Sequence, residues 1–189
     1  MKREDLEPAV NALKAIVSAQ QTAMLDCTND LKASCRAALL ILEEVPINGN
    51  KTYTLEFDGA SKGNPGPAGL GVVIYDPSGA IMEKLGKALP ATTNNVAEYR
   101  ALIAGLELAQ RLGIKRLSIR TDSELVAKQL NGEYKIRKPE LVELATEVNS
   151  LLDGLESYTI KHIPRELNIL ADKLASTAIK IRATKGKQT

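Results

Sequence analysis

A chain of 189 residues is long enough for one α/β domain with an appendage or for two small domains. Its hydrophobic fraction of 44% and charged fraction of 25% are ordinary for a globular protein and exclude a collagen-like or wholly disordered chain. No run approaches the roughly 20 apolar residues of a membrane span, and the start lacks the apolar core of a signal peptide. We therefore expect a cytoplasmic protein without membrane contact.

The net charge of +2 is unevenly distributed along the chain. Residues 1–50 hold five Lys and Arg against seven Asp and Glu, whereas residues 51–189 hold twenty against sixteen. A polyanion is therefore expected to meet the second part, including the basic residues near its end. A solvated terminal tail is an equally good explanation for those last residues.

The first 45 residues show the spacing of amphipathic helices. Apolar residues recur every three or four positions within 4–26 and again within 31–45, and Pro46 followed by Asn48-Gly49-Asn50 ends the second pattern. This predicts a helical hairpin over 1–45 and a linker over 46–51. A two-helix hairpin leaves part of each apolar stripe uncovered, so a homodimer through residues 1–45 is favoured over packing on the rest of the chain.

From residue 52 the apolar period changes to two. Tyr53, Leu55 and Phe57 alternate with polar residues, which predicts a strand that ends at Asp58, with the Asp58 side chain on the face opposite Phe57. After a loop over 59–69, the apolar run 70–75 predicts a second strand, and 81–89 a third beyond a Pro-Ser-Gly turn. The pattern indicates an antiparallel meander.

Helices and strands alternate in the remainder of the chain. The segment 92–95 offers N-cap residues for a helix that runs to about Leu112, with Gly113 as its stop and Glu98 in its first turn. A strand over 116–121 ends on Asp122. Helices are predicted at about 123–131 and 139–152, then a strand at about 157–163 and a last helix over 166–182. This order indicates an α/β domain over 52–182, with a mixed sheet flanked by helices, and a basic tail over 183–189.

Four acids occupy strand ends, a helix start and the interior of an otherwise apolar helix: Asp58, Asp122, Glu98 and Asp172. Each alone has an ordinary explanation as a turn residue, an N-cap, a helix N-terminal charge or a solvated helix face. Together, four converging carboxylates would repel one another unless cations compensate, so their clustering predicts a metal. An all-oxygen set favours Mg²⁺ over Zn²⁺, and two such ions would activate a water and stabilise the leaving oxygen of a phosphoryl transfer.

Four segments resemble the successive motifs of the type 1 ribonuclease H family, in order and with similar spacing. They are FDGASKGNPGPAGLGVVIYD, TTNNVAEYRALIAGL, IRTDSELV and HIPRELNILADKLA. The resemblance implies a five-stranded mixed sheet of three antiparallel and two parallel strands, and an endonuclease that cuts the RNA strand of RNA–DNA hybrids. It also implies 5′-phosphate and 3′-hydroxyl products, and assigns the four acids as catalytic ligands of two Mg²⁺ ions, with Mn²⁺ as an alternative.

Substrate contacts are implied by the same resemblance. Asn64 resembles the residue that contacts the RNA strand near the cut, and Asn94 and Asn95 resemble those that read RNA sugars and bases in the minor groove. Ser123 is a weaker candidate. Amide side chains both donate and accept, which suits recognition of the 2′-OH that separates RNA from DNA. A turn role for Asn64 and a cap role for Asn94 are the structural alternatives.

The chain departs from the family pattern at two places. Many members carry a mobile-loop histidine before the last acid, and His162 has that separation from Asp172. By strand register, however, His162 ends a strand and Arg165 occupies the loop position, so we assign the auxiliary catalytic role to Arg165. Longer members also insert a basic protrusion after the third acid, where this chain has only a short basic cluster at 135–138.

Two other functions are open at this point. Resolvases, transposase-type nucleases and exonucleases of the same fold also place carboxylates around two metals, but the Thr-Thr-Asn-Asn segment before Glu98 argues against them. A hybrid-binding module without catalysis is the other alternative. Uncompensated carboxylates would repel a phosphate backbone, which argues against that function.

Overall fold

The computed structural model describes residues 51–185, with side chains up to residue 181. The chain divides into two units, Met1–Ile47 and Asn48–Thr189, and the described residues belong to the second. The predicted hairpin over 1–45 lies outside the described residues, as do nearly all of the linker over 46–51 and most of the tail over 183–189. These three boundaries stay predictions.

Five strands form one mixed sheet in the order β3-β2-β1-β4-β5. The strands are β1 (Tyr53–Ser61), β2 (Gly66–Tyr75), β3 (Ile81–Thr92), β4 (Arg116–Thr121) and β5 (Ser157–His162). β1 and β3 each pair with β2 in antiparallel register, whereas β4 pairs with β1 and β5 with β4 in parallel register. The predicted combination of three antiparallel and two parallel strands is confirmed.

Four helices accompany the sheet within residues 51–185: α1 (Asn94–Arg111), α2 (Glu124–Leu130), α3 (Pro139–Leu152) and α4 (Ile169–Lys185). The Thr93 hydroxyl caps α1, and Gly113, with φ +67, follows its end as predicted. The last helix begins at Ile169 and not at 166, because Arg165–Leu167 form a separate 3-10 turn. Across this part of the chain, none of the helices combines the length and apolarity that a membrane crossing requires.

The hydrophobic core is formed by one face of the sheet and by the buried sides of α1 and α3. Alternate residues of β1 and β2, such as Leu55, Phe57, Val72 and Ile74, are fully buried there. The period-two pattern therefore identified the buried face of the sheet correctly. Asp58 belongs to the opposite face, on which α4 packs against β1, β2 and β3.

Glycines in β2 make room for α4. A Cβ added to Gly69 would lie 2.5 Å from the carbonyl oxygen of Ala175, and one added to Gly71 would collide with that of Ala171. Only glycine permits such a close approach of a helix backbone to a strand. Gly69 was predicted to lie in a loop over 59–69, which was wrong, because β1 and β2 extend through most of that segment.

Candidate active site

Two of the predicted carboxylates lie where β1 and β4 stop pairing. The prediction that Asp58 ends the first strand was wrong, because β1 continues to Ser61 alongside β2. The parallel pairing of β1 with β4 nevertheless stops at Glu56, so Asp58 lies just beyond it. Asp122 directly follows the last residue of β4. Both acids therefore lie at one edge of the parallel part of the sheet.

Glu98 lies further along α1 than predicted, since the first turn of this helix contains no acid. Its two carboxylate oxygens accept hydrogen bonds from different side chains, Oε1 from Nδ2 of Asn94 at 3.1 Å and Oε2 from Oγ of Ser123 at 3.0 Å. The Ser123 hydroxyl also caps α2 by accepting from the backbone N–H of Val126 at 3.4 Å. Ser123, and not Asp122, is thus the N-cap of α2.

Gly59 allows α1 to pack closely against β1 next to Asp58 and Glu98. A Cβ added to Gly59 would lie 2.5 Å from the carbonyl oxygen of Ala97 and would collide with the backbone nitrogen of Glu98. The turn of α1 that carries Glu98 therefore packs directly on the residue that follows Asp58. The juxtaposition of these two acids depends on the absence of a side chain at Gly59.

Asp172 lies in the first turn of α4 and carries an ion pair with Arg165. Nη2 of Arg165 donates to Oδ1 of Asp172 at 2.6 Å, with side chains 73% and 29% exposed, so the guanidinium approaches from the solvent side. His162 is the exposed last residue of β5, paired with Thr121 in register. Of these two residues, the structure thus places Arg165, and not His162, in contact with one of the four acids.

The acids influence one another's ionisation. Burial is the largest of the causes that raise the pKa of Asp58 to about 6; the charges of Asp122 and Asp172 contribute to the rise, and the charge of Arg165 opposes it. Burial is likewise the largest of the causes that raise the pKa of Glu98 to about 7; the hydrogen bond from Ser123 opposes the rise, and the charges of Asp58 and Asp122 contribute to it. The four carboxylates therefore form one electrostatic cluster.

The chemistry of this cluster suits a hard divalent cation. All four groups are carboxylates, which Mg²⁺ and Mn²⁺ bind in preference to softer ligands. Within residues 51–185, however, no three Asp, Glu, His or Cys side chains are arranged as a ready metal site. Asp172 is turned toward Arg165 and Glu98 toward Asn94 and Ser123. A cation would compete with Arg165 for Asp172 and would relieve the mutual repulsion of the acids.

The predicted substrate residues lie at the same edge as the acids. Asn64 is exposed in the loop between β1 and β2, and its Oδ1 accepts a hydrogen bond from the backbone N–H of Asn94 at 3.3 Å. The Asn94 side chain in turn reaches Glu98, and Asn95 is the next, half-buried residue of α1. Thr93 caps this helix, so the alternative role of Asn94 as its cap was wrong.

Asn168 also lies among the acids, although the sequence pattern did not predict it. It is fully buried, and its Nδ2 donates to the carbonyl oxygen of Phe57 at 2.9 Å and to Oδ1 of Asp122 at 2.6 Å. Its only signal in the sequence is a polar residue among apolar neighbours, four positions before Asp172. That signal does not distinguish a buried hydrogen-bonding residue from an ordinary helix cap.

This sheet order, with acids contributed by β1, α1, the end of β4 and α4, defines a ribonuclease H-like protein. A family model described as reverse transcriptase-like matches residues 56–178. Ribonuclease HI of Halobacterium salinarum is 42% identical over 134 residues, which cover 71% of this chain and 67% of that protein. The crystal structure of RNase H1 from the same organism matches with a TM-score of 0.67 over 68% of this chain and 98% of that one. The chain belongs to the type 1 ribonuclease H family.

Two further relatives show how much of each chain is similar. A bifunctional protein of Mycobacterium tuberculosis is 39% identical over 126 residues, which cover 66% of this chain but only 35% of that protein. This chain thus matches about a third of that relative's length. LC11-RNase H1, solved in complex with an RNA/DNA hybrid, is 39% identical, with a TM-score of 0.66 over 69% of this chain and 99% of that one. The prediction of a ribonuclease H is confirmed at the level of the family.

Proposed function

We propose that this chain is an endonuclease that hydrolyses the RNA strand of RNA–DNA hybrids with two divalent cations. The observation that carries the proposal is the gathering of four carboxylates at one edge of the sheet, where burial, with the charges of Asp122 and Asp172, raises the pKa of Asp58 to about 6. The complex of LC11-RNase H1 with an RNA/DNA hybrid supports this substrate class. The ligands would be Asp58, Glu98, Asp122 and Asp172.

The carboxylates would act by holding the cations in an ionised, oriented cluster. When bound, Mg²⁺ or Mn²⁺ would supply the positive charge that acidifies an attacking water and stabilises the leaving oxygen. The same charge would keep Asp58 and Glu98 ionised in spite of their burial. Breaking the bond between phosphorus and the 3′ oxygen leaves a 5′-phosphate and a 3′-hydroxyl, which are the products we propose.

Asn64, Asn94, Asn95 and Ser123 are proposed to contact the RNA strand. Asn64 is exposed, and its carbonyl group orders the first residue of α1. Asn94 and Ser123 each bind one oxygen of Glu98, so contact with an RNA sugar would be coupled to the position of a catalytic carboxylate. Ser123 is the weaker candidate, because its hydroxyl already contacts Glu98 and caps α2.

The first prediction concerns substrate and metal. Incubated with labelled RNA–DNA hybrid, single-stranded RNA and duplex DNA, the protein is expected to cut the RNA of the hybrid in Mg²⁺ and to cut nothing in EDTA, because uncompensated carboxylates repel phosphate. End analysis should show 5′-phosphate and 3′-hydroxyl groups. Equal cutting of duplex DNA, or full activity in EDTA, would contradict the proposal.

A second prediction separates Arg165 from His162 as the auxiliary residue. Arg165→Ala is expected to slow turnover modestly, by less than the roughly hundredfold that loss of a general acid or base costs, because Arg165 contacts the Asp172 carboxylate through an exposed ion pair. His162→Ala is the matched control at the exposed end of β5 and should change kcat little. Steady-state kinetics on the hybrid measure both. A larger loss in the histidine variant would show that spacing, and not strand register, identifies the mobile-loop residue.

Residues 1–45 are not needed for the site as proposed, since each candidate catalytic and substrate-binding residue lies between 58 and 172. Self-association of two copies through these residues stays a prediction from their apolar spacing. The cytoplasmic location also stays a prediction.

A further inference from the structure

The structure assigns a positioning role to Asn168. We infer that its side-chain amide holds the carboxylate of Asp122 in the orientation in which it binds a divalent cation. The inference rests on the proposed function, because it concerns the metal ligands of that reaction. Asn168 is fully buried and would not itself touch the substrate.

The contacts of Asn168 join three acid-bearing elements. Its Nδ2 donates one hydrogen bond to the carbonyl oxygen of Phe57, the residue before Asp58, at 2.9 Å. It donates a second to Oδ1 of Asp122 at 2.6 Å. Its backbone carbonyl accepts from the N–H of Asp172 at 3.1 Å, in the first turn of α4. One residue therefore contacts β1, the end of β4 and the start of α4.

The neighbours of the amide determine which way it points. Both atoms near Nδ2 are hydrogen-bond acceptors, so only the NH₂ group can face them. The other end of the amide, Oδ1, is buried and makes no hydrogen bond to any described residue. Burying an unsatisfied carbonyl oxygen is unfavourable, so stability alone does not explain the choice of asparagine here.

The position of Asn168 in the chain points to the same role. It directly precedes α4, where an asparagine side chain ordinarily accepts a hydrogen bond from the first turn of the helix. Here the side chain donates to Asp122 and to β1 instead. Asn168 thus gives up the usual capping hydrogen bond and contacts a candidate metal ligand instead. Departures from local sequence preferences of this kind are concentrated at functional sites.

The expected effect of this contact is on metal affinity. A hydrogen bond to a carboxylate restricts its rotation, so Asp122 would already be ordered before a cation binds. Partners that orient metal ligands typically contribute about 10- to 100-fold in metal affinity or activity. Hybrid affinity should depend little on Asn168, because the residue is buried.

Asn168→Ala tests the inference by its dependence on Mg²⁺. We expect the Mg²⁺ concentration for half-maximal cleavage to rise about tenfold or more, with kcat reduced and the KM for the hybrid nearly unchanged. Calorimetric titration of the substrate-free protein with Mg²⁺ should show the same weakening. Val148→Ala is the matched control, because it removes fully buried methyl groups from α3 and lowers stability away from the acids. It should leave the Mg²⁺ midpoint unchanged.

The experiment distinguishes failure of the positioning role of Asn168 from failure of the proposed nuclease function. A folded Asn168→Ala protein with the wild-type Mg²⁺ midpoint and Mg²⁺ affinity overturns the inference, whereas a wild-type protein that does not cleave hybrids in Mg²⁺ overturns the proposed function. If Asn168→Ala fails to fold, NMR of the wild-type protein tests the positioning role of Asn168 instead. The Asn168 side-chain amide protons should then exchange slowly with solvent and shift as Mg²⁺ is added; rapid exchange, or no shift on binding, would overturn the inference.

Discussion

Asp58→Asn and Asp122→Asn are each expected to reduce hybrid cleavage by roughly a thousandfold or more, as loss of an essential group of a catalytic cluster does. An amide is a much weaker ligand than a carboxylate for a hard cation, and both acids belong to the same cluster. Initial rates in Mg²⁺, with circular dichroism to confirm folding, measure the effect. Glu140→Gln on the exposed start of α3 is the matched control and should retain full activity.

The same Asp58 variant should gain stability in the absence of metal. The pKa of Asp58 is raised from 3.8 to about 6 in the folded protein. The contribution of this group to the free energy of unfolding is therefore fully present below pH 4, where the carboxyl is protonated, and is lost as the pH rises through 6 and the carboxyl ionises. At pH 8 the ionised group costs on the order of 2–3 kcal/mol, which Asp58→Asn would relieve. Thermal unfolding in EDTA should therefore show a higher Tm for the variant at pH 8 and little difference near pH 4. A marked loss of stability at pH 8 would mean that this acid is structural.

Gly59→Ala is the second substitution with a large expected effect. The new methyl group would meet the backbone of Ala97 and Glu98, and a helix backbone cannot move aside as a flexible side chain can. We expect a loss of about 1–3 kcal/mol of stability from this overpacking. A displacement of Glu98 by about 1 Å would cost roughly a hundredfold in kcat. Denaturant unfolding and steady-state kinetics measure the two effects.

Gly154→Ala provides the control for replacement of a glycine. Its new methyl group would come no closer than 3.3 Å to the carbonyl oxygen of Leu151, on an exposed turn far along the chain from the acids. It should change kcat little. If Gly59→Ala retained wild-type activity and stability, the close packing of α1 on β1 would not be what positions Glu98.

Most of the secondary structure could be predicted from local pattern. The alternation in β1 identified its buried face, and Gly113 and Pro139 correctly marked the end of α1 and the start of α3. One error occurred where a glycine can indicate either a loop or close packing of two backbones. Gly69 was taken for a loop residue, whereas it belongs to β2 and allows α4 to pack against that strand. Local sequence cannot separate these cases, because the partner helix lies about a hundred residues later.

The sequence by itself determined the order of strands and helices along the chain and the side of the sheet on which Asp58 lies, because periodicity, capping and turn chemistry act between near neighbours. It also predicted the four acids, from their places in those elements and the family resemblance. Only the tertiary structure decided how those acids are held. The contacts of Asn168 with Phe57 and Asp122 join residues 111 and 46 positions apart. The ion pair of Arg165 with Asp172 likewise depends on where a 3-10 turn ends and α4 begins. The contacts of Asn168 form only after the strands and helices have packed, so no local pattern specifies them.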